Sequence, residues 1–471
     1  MEVQRGTKLV CTIGPASAVL VGELVGAGMD VARINFSHGT PAERLRNADS
    51  VRVAAHAARR PVAILVDLAG PKIRFGELIG DEATLEAGAP FTLRPGRGGA
   101  RGDATGAHVT YRALGADVRP GDRILLADGA AELRVTGTAG NGVATEVARG
   151  GLIRSRAGVA IPADRISSPA LTVKDHADIP RALALGADYV AQSFVRSAAD
   201  VHELRACLGP DGPPIVAKIE TRPAVDGFDA ILGVVDAVMI ARGDLGVELP
   251  YEEVPLVQKQ LVRRALDGGI PTIVATQMLE SMIASPRPTR AEASDVANAV
   301  FDGADAIMLS GETAIGAHPV LAAEAAARIV RLCEERGRAL LPTGAPPPVE
   351  TDAGALAYAA VALSAADPEI TGIACYTRTG RTARILSSLR PGVPVIAFSP
   401  DPGVVRRLAL VHGVVARSCV PPDDVPGRLG LMAWLLGETA LLPPGSAAVL
   451  VASTAEPGSG PNLLEVHRVP I

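Results

Sequence analysis

Two apolar runs between positions 214 and 246 decide the fold: PIVAKIE at 214–220 and AVMIARGDLG at 237–246. Each reads as a buried strand that ends in an acid, Glu220 in the first and Asp244 in the second. Side chains alternate along a strand, so Lys218 and Glu220 point the same way. A lysine and a glutamate on one side of an apolar strand are costly unless they pair, hold a metal or meet a ligand. This stretch is therefore the expected chemical centre.

Working outward, the same kind of run recurs. Strands are expected at 7–13 (TKLVCTI), 31–36 (VARINF) and 63–68 (AILVDL), with helices between them. From about Phe75 to Asp164 the rhythm breaks into short alternating segments (FTLRP, RILLADG, AELRVTG, GVATEVARGG) separated by turn signals, the pattern of a small inserted β domain. Strands then resume at 189–194, 214–220, 237–244, 271–278 and 306–312, each followed by a helix. Three strands before the insertion and five after it make a (β/α)8 barrel of the TIM type. Residues 1–72 and 165–343 are assigned to the barrel, 73–164 to the inserted lid, and 350–471 to a C-terminal α/β domain beyond the Pro-rich linker at 344–350.

Composition narrows the function. The 471 residues are 48% hydrophobic but only 3% aromatic, so the core must be Val, Leu, Ile and Ala. A net charge of −5 leaves no basic surplus for nucleic acid. Neither a signal peptide nor a membrane span is visible, and the five scattered cysteines lack metal spacing, so a reduced, cytoplasmic protein is expected. Nearly all the basic residues are Arg. The five lysines (Lys8, Lys72, Lys174, Lys218, Lys259) stand out as places where a compact ammonium is needed, or as chance survivors on the surface.

Barrels of this kind carry their chemistry at the C-terminal ends of the strands. Here those ends hold Arg33, Asn35, Ser37, His38, Asp67, Ser193, Lys218, Glu220, Arg242, Gly243, Asp244, Thr276, Gln277, Ser310 and Glu312. Strand ends are often polar because they meet loops, but the carboxylates Glu220 and Asp244 together with a lysine and two arginines around one rim exceed that expectation. Glu220 and Asp244 are hard oxygen ligands suited to Mg²⁺ or Mn²⁺. The glycine-rich stretch after Arg242 can offer backbone N–H groups to an anion. Arg33 and Lys218 supply positive charge for a phosphoryl group, and Thr276 a hydroxyl for proton relay. Together these groups fit phosphoryl transfer or enolate chemistry.

The motifs TKLVCTIGPAS, VARINFSHG, VDLAGPKIRFG, VAKIET, MIARGDLGVE, ATQMLESM and PTRAEASDVANAVFDGADAIMLSGETA resemble the pyruvate kinase family, in order and over nearly the whole chain. The resemblance implies a phosphotransferase: phosphoenolpyruvate and ADP give pyruvate and ATP, in glycolysis. It also implies a regulatory C-terminal domain and a homotetramer. By the same resemblance, Lys218 stabilises the phosphoryl transition state and the enolate, Glu220 and Asp244 bind Mg²⁺, and Arg33, Ser193, Gly243, Asp244 and Thr276 contact substrate. Thr276, Ser310 and Glu312 protonate the enolate. Asn35, Ser37 and Asp67 match a monovalent-cation site, and Asn35, His38 and Arg74 lie on the nucleotide side.

Two departures from the family pattern matter. Many relatives carry Thr and Glu where this chain has Leu68 and Lys72, and those relatives need K⁺. An ammonium from Lys72 in the cation's place would repel K⁺, so activity without K⁺ is expected. In the lid, the family's KGVNLP appears as AGVAIP at 157–162, which replaces a nucleotide-binding lysine by Ala157 and leaves Arg156 as the candidate substitute. In the C-terminal domain, Thr377, Arg378, Thr379, Gly380, Arg381 and Thr382 follow a strand and open a helix, a setting that suits a phosphate. They resemble the family's effector loop, so activation by a phosphorylated metabolite is expected; the plainer alternative is a helix cap. Two competing functions are another Mg²⁺-dependent barrel acting on pyruvate or phosphoenolpyruvate, against which the β insertion after the third strand and the run ARGDLG argue, and a catalytically silent ligand sensor. The presence of Lys218, Glu220, Asp244 and Thr276 argues against the second.

Overall fold

The computed structural model describes residues 5–96, 100–127, 129–139, 142–343, 352–420, 425–439, 441–452 and 462–469; the expected linker at 344–350 lies outside them. Eight parallel strands close into a barrel: β1 (Lys8–Thr12), β2 (Val31–Asn35), β3 (Ala63–Asp67), β4 (Tyr189–Gln192), β5 (Ile215–Ile219), β6 (Ala237–Ala241), β7 (Thr272–Ala275) and β8 (Ala306–Leu309), with β8 pairing back onto β1. Both faces of each strand are covered, which is why the strands read as unbroken apolar runs. Ile215, Ala217 and Ile219 face the outer helices, while Val216 faces the barrel interior.

Strand ends fall earlier than the sequence suggests. The run at 237–244 stops at Ala241, and Arg242, Gly243 and Asp244 open the helix Arg242–Glu248. Likewise β7 stops at Ala275, and Glu312 belongs to the short helix Gly311–Ala314. The polar residues have left the strand ladder and can turn toward the mouth.

Between β3 and β4 the chain builds the lid, a six-stranded sheet and a two-stranded one around its own apolar core, which includes Phe75, Phe91, Leu93, Ile124 and Leu133. Its two connections to the barrel run side by side. Phe75 donates its N–H to Ala157, and Val159 donates to Ile73. The lid is thus joined to the barrel through a short paired ribbon rather than through two independent tethers.

The C-terminal domain is a five-stranded sheet with one antiparallel edge strand. Its strands include Val414–Ser418 and, at the edge, Leu463–Arg468. The domain plugs the bottom of the barrel: Ala409 and Leu410 join the interior layer, Tyr189 donates its hydroxyl to the Arg407 carbonyl at 2.8 Å, and the buried Lys8 ammonium donates to the Val414 carbonyl at 2.8 Å.

Candidate active site

The interior face of the barrel explains the composition of the mouth. Val10, Val31, Leu65, Ala191, Val216 and Met308 fill the interior layer. Two residues further along the same faces stand Thr12, Arg33, Asp67, Ser193, Lys218 and Ser310. The period of two thus delivers a polar layer at the top of an apolar barrel.

Within that layer the charges interlock. The Lys218 ammonium lies 2.8 Å from Glu220 Oε1 and 3.4 Å from Asp67 Oδ1, and donates to Ser193 Oγ at 2.7 Å. Burial alone would drive this ammonium toward neutrality; the Asp67 and Glu220 carboxylates outweigh it and hold the group charged above its ordinary range. Arg33 reaches Asp67 Oδ2 through Nε (2.8 Å) and Nη2 (2.7 Å), and donates from Nη1 to Thr12 Oγ1 at 3.0 Å. Burial raises the Asp67 carboxyl, but Lys218 and Arg33 together bring it below the usual range. Thr12 was not singled out from the sequence, although the same alternation along β1 places it there.

Glu220 is the strained member. It is 1% exposed, and its Oε2 accepts the Phe194 N–H at 2.8 Å. Its Oε1 pairs with Lys218 but has no hydrogen bond of good geometry. Burial raises its carboxyl above the ordinary range; Lys218 opposes this, and Asp244 adds to it. A buried carboxylate oxygen short of a directed partner, with a second carboxylate repelling it, is a donor set that suits a hard divalent cation. Among the described residues no group of three or more His, Cys, Asp or Glu is arranged for a metal. An ion held by Glu220 and Asp244 would therefore complete its shell with water and substrate oxygens, as Mg²⁺ does readily.

Asp244 itself pairs with Lys72, Nζ to Oδ1 at 3.0 Å. The sequence expectation put Lys72 at the cation ligands Asn35, Ser37 and Asp67. In the structure the Lys72 ammonium meets Asp244, Asn35 Oδ1 accepts the Ser37 N–H, and Asp67 is engaged by Arg33, Lys218 and Ser193.

Thr276 lies just beyond β7 with φ +72°, followed by Gln277 at +53°. A β-branched residue seldom adopts this left-handed conformation. Its Oγ1 accepts the Gly243 N–H at 2.8 Å and donates to the Ala275 carbonyl at 2.5 Å, so the Gly243 N–H expected to greet an anion is already engaged. Glu312, expected in the proton network, is fully buried; its oxygens accept the N–H groups of Leu279 (3.0 Å) and Ser310 (2.7 Å), which ties the ends of β7 and β8 together.

A cleft with about 690 Å³ of empty space opens between the mouth and the lid, lined by Lys72, Glu220 and Asp244 on one side and by Leu125, Val159 and Ile161 on the other. Glu248, which no sequence signal marked, lines it too. It accepts N–H groups from Ala163 and Arg222, and burial pushes its carboxyl up to about 7. His38 is exposed at the rim, and partial burial with Arg74 and Arg33 nearby holds its imidazole below the ordinary range. Arg74 donates to the Arg156 carbonyl at 3.1 Å, whereas the Arg156 guanidinium turns to Glu77 at 2.6 Å. In the C-terminal loop, Thr377 Oγ1 accepts the Gly380 N–H at 2.9 Å, and Arg378, Thr379 and Arg381 are exposed.

Comparison with known proteins agrees with this geometry. The family model for the pyruvate kinase barrel domain matches residues 4–323, and that for the pyruvate kinase alpha/beta domain matches 354–467. A pyruvate kinase of Corynebacterium efficiens is 44% identical over 91% of this chain and 90% of its own length. One of Mycobacterium tuberculosis is 42% identical over 99% and 98% respectively. The crystal structure of a pyruvate kinase from Cryptosporidium parvum superposes with a TM-score of 0.88 at 34% identity, covering 99% of this chain and 97% of its own. A closed barrel with a lid after its third strand, a buried lysine–carboxylate mouth and relatives matched end to end lead to one conclusion: this chain belongs to the pyruvate kinase family and is a phosphotransferase.

Proposed function

We propose that the barrel mouth transfers the phosphoryl group of phosphoenolpyruvate to ADP, without a need for K⁺ and under activation by a phosphorylated metabolite. The observation that carries this is the Lys218 ammonium, held charged in a buried site by Glu220 at 2.8 Å and Asp67 at 3.4 Å. The bond between phosphorus and the enol oxygen breaks as one to the ADP terminal oxygen forms. Lys218 and Arg33 offset the charge on the phosphoryl oxygens and on the enolate left behind. The Thr276 hydroxyl relays a proton to the enolate carbon, which becomes the methyl group of pyruvate. Glu220 and Asp244 would hold Mg²⁺ or Mn²⁺, which supplies Lewis-acid charge to substrate oxygens when bound. Asp67 and Thr12 keep Arg33 aimed at the mouth.

Independence from K⁺ is supported by Leu68, a buried side chain with no oxygen to offer a cation, and by the Lys72 ammonium, which already adds a positive charge to the mouth where it pairs with Asp244. Pyruvate formation should be equal in K⁺ and in tetramethylammonium at matched ionic strength; strong activation by K⁺ would overturn this part. The exposed Arg378, Thr379 and Arg381 support an effector phosphate site. Five unpaired cysteines are consistent with work in the cytoplasm, and among the described residues no helix is long and apolar enough to cross a membrane. Exposed apolar side chains at Tyr251, Leu256 and Trp434 would be covered in a homotetramer, which light scattering would refute by giving a monomer mass.

A further inference from the structure

The first residue after β6 reaches across to the end of β7. Arg242 donates from Nε to the Ala275 carbonyl at 3.3 Å and from Nη2 to the Thr276 carbonyl at 2.6 Å. Its Nη1 is anchored on the far side by Asp295 at 2.7 Å and by Gln258 Oε1 at 3.3 Å. Gln258 is in turn fixed by its bond to Asp302 at 2.8 Å. Every nitrogen of the guanidinium is engaged, and none of these partners belongs to the charged layer around Lys218. Two of the acceptors are the carbonyls on either side of the Thr276 backbone, the point where φ is +72°. Such a conformation at a β-branched residue persists only when its surroundings over-determine it. The planar fork of Arg grips both carbonyls at once, which the single ammonium of Lys cannot do in the same geometry.

We propose that Arg242 is the positioning residue for the Thr276 hydroxyl. By holding the carbonyls of Ala275 and Thr276, it keeps the peptide turned so that Oγ1 meets the Gly243 N–H and lies at the mouth rather than against the outer helices. Asp295 and Gln258 set the angle of the fork. The guanidinium nitrogens are all taken up by protein atoms, so the effect of Arg242 on the reaction runs through Thr276. The proposal rests on the assignment of Thr276 to enolate protonation. It goes further by naming what creates the geometry and why an arginine follows β6.

The test uses the full-length enzyme and reads proton transfer directly, as exchange of the pyruvate methyl protons with D2O in the presence of Mg²⁺ and ATP, followed by proton NMR. Thr276→Ala, Arg242→Lys, their double variant and Asp295→Asn are compared, each with its kcat and its KM for phosphoenolpyruvate. Arg242→Lys should slow exchange on the order of 100-fold, with KM changed by less than about threefold, because the hydroxyl is misplaced while substrate-binding groups stay. The double variant should be no slower than Thr276→Ala alone, since both changes remove one contribution. Asp295→Asn should slow exchange by roughly three- to tenfold, because the fork keeps its carbonyls but loses its charged anchor; this variant carries the test if Arg242→Lys does not fold. Exchange at the wild-type rate in both Arg242→Lys and Asp295→Asn, with Thr276→Ala slow, would overturn the proposal. So would a double variant slowed by the product of the two single effects. Wild-type exchange in Thr276→Ala would instead overturn the assignment of Thr276, and with it the basis for this role of Arg242.

Discussion

Lys72→Glu tests the electrostatics of the mouth. The Lys72 ammonium sits 3.0 Å from Asp244 Oδ1, and the two side chains are 34% and 31% exposed. At that distance a unit pair interacts by about 1.4 kcal/mol in water and about 5.5 kcal/mol at an effective dielectric of 20. Partial exposure and side-chain entropy leave such pairs only about 0.2–1 kcal/mol of net stability, so the variant should fold with little change in Tm. The charge at the mouth changes far more. Arg33, Lys218 and Lys72 balance Asp67, Glu220 and Asp244 formally at zero, whereas Lys72→Glu leaves two positive groups against four negative ones, a net of −2. Phosphoenolpyruvate and ADP are themselves anions. If even about 1.4–2.7 kcal/mol of the added repulsion reaches the transition state, kcat/KM falls tenfold to a hundredfold. A monovalent cation should recover most of it. The assay follows pyruvate through lactate dehydrogenase, in KCl or tetramethylammonium chloride at equal ionic strength. The wild type should be indifferent to the salt, and Lys72→Glu should depend on K⁺. A variant as indifferent to K⁺ as the wild type, with unchanged activity, would refute the electrostatic reasoning.

Glu248 gives a pH signature. Its carboxyl lies at about 7 in the folded chain against an ordinary value of 4.5. The folded state therefore holds a proton that the unfolded state has released, and this group's contribution to stability falls as pH rises from about 4.5 to about 7. Glu248→Gln removes that dependence, so the Tm of the wild type minus that of the variant should be more positive at pH 5 than at pH 8; the opposite order would exclude a buried, proton-holding Glu248. In the C-terminal loop, Arg381→Ala should abolish any activation by sugar phosphates or nucleoside monophosphates while leaving the rate without effector within about twofold. A wild-type saturation curve unmoved by all of these would remove the effector site altogether.

Much of the architecture was legible because burial on both faces writes barrel strands as short apolar runs, and the period of two then places Lys218 and Glu220 together. The helical placement of Asp244 was not legible, since ARGD continues an apolar run and only the ladder shows where pairing stops. Pairings made across the fold left no local mark either: Lys72 finds Asp244 from 172 residues away, and the Arg242 fork closes on backbone carbonyls, which any sequence supplies. Glu312 matches its motif, yet its oxygens are spent on N–H groups in the interior. In the C-terminal domain the edge strand Leu463–Arg468 leaves little mark in the sequence, because an edge carries polar residues and lacks an unbroken apolar run.

The most direct measurement is pyruvate production from phosphoenolpyruvate, ADP and Mg²⁺ by the wild type and by Lys218→Met. Removing the ammonium leaves buried Asp67 with Arg33 alone and takes from buried Glu220 the cation it pairs with, so Lys218→Met should lose at least about 1,000-fold in kcat, along with about 3–5 kcal/mol of stability. Robust wild-type turnover with a nearly silent, folded Lys218→Met is the expected result. A wild type that forms no pyruvate in either salt, or a Lys218→Met variant that turns over at the wild-type rate, would contradict the account.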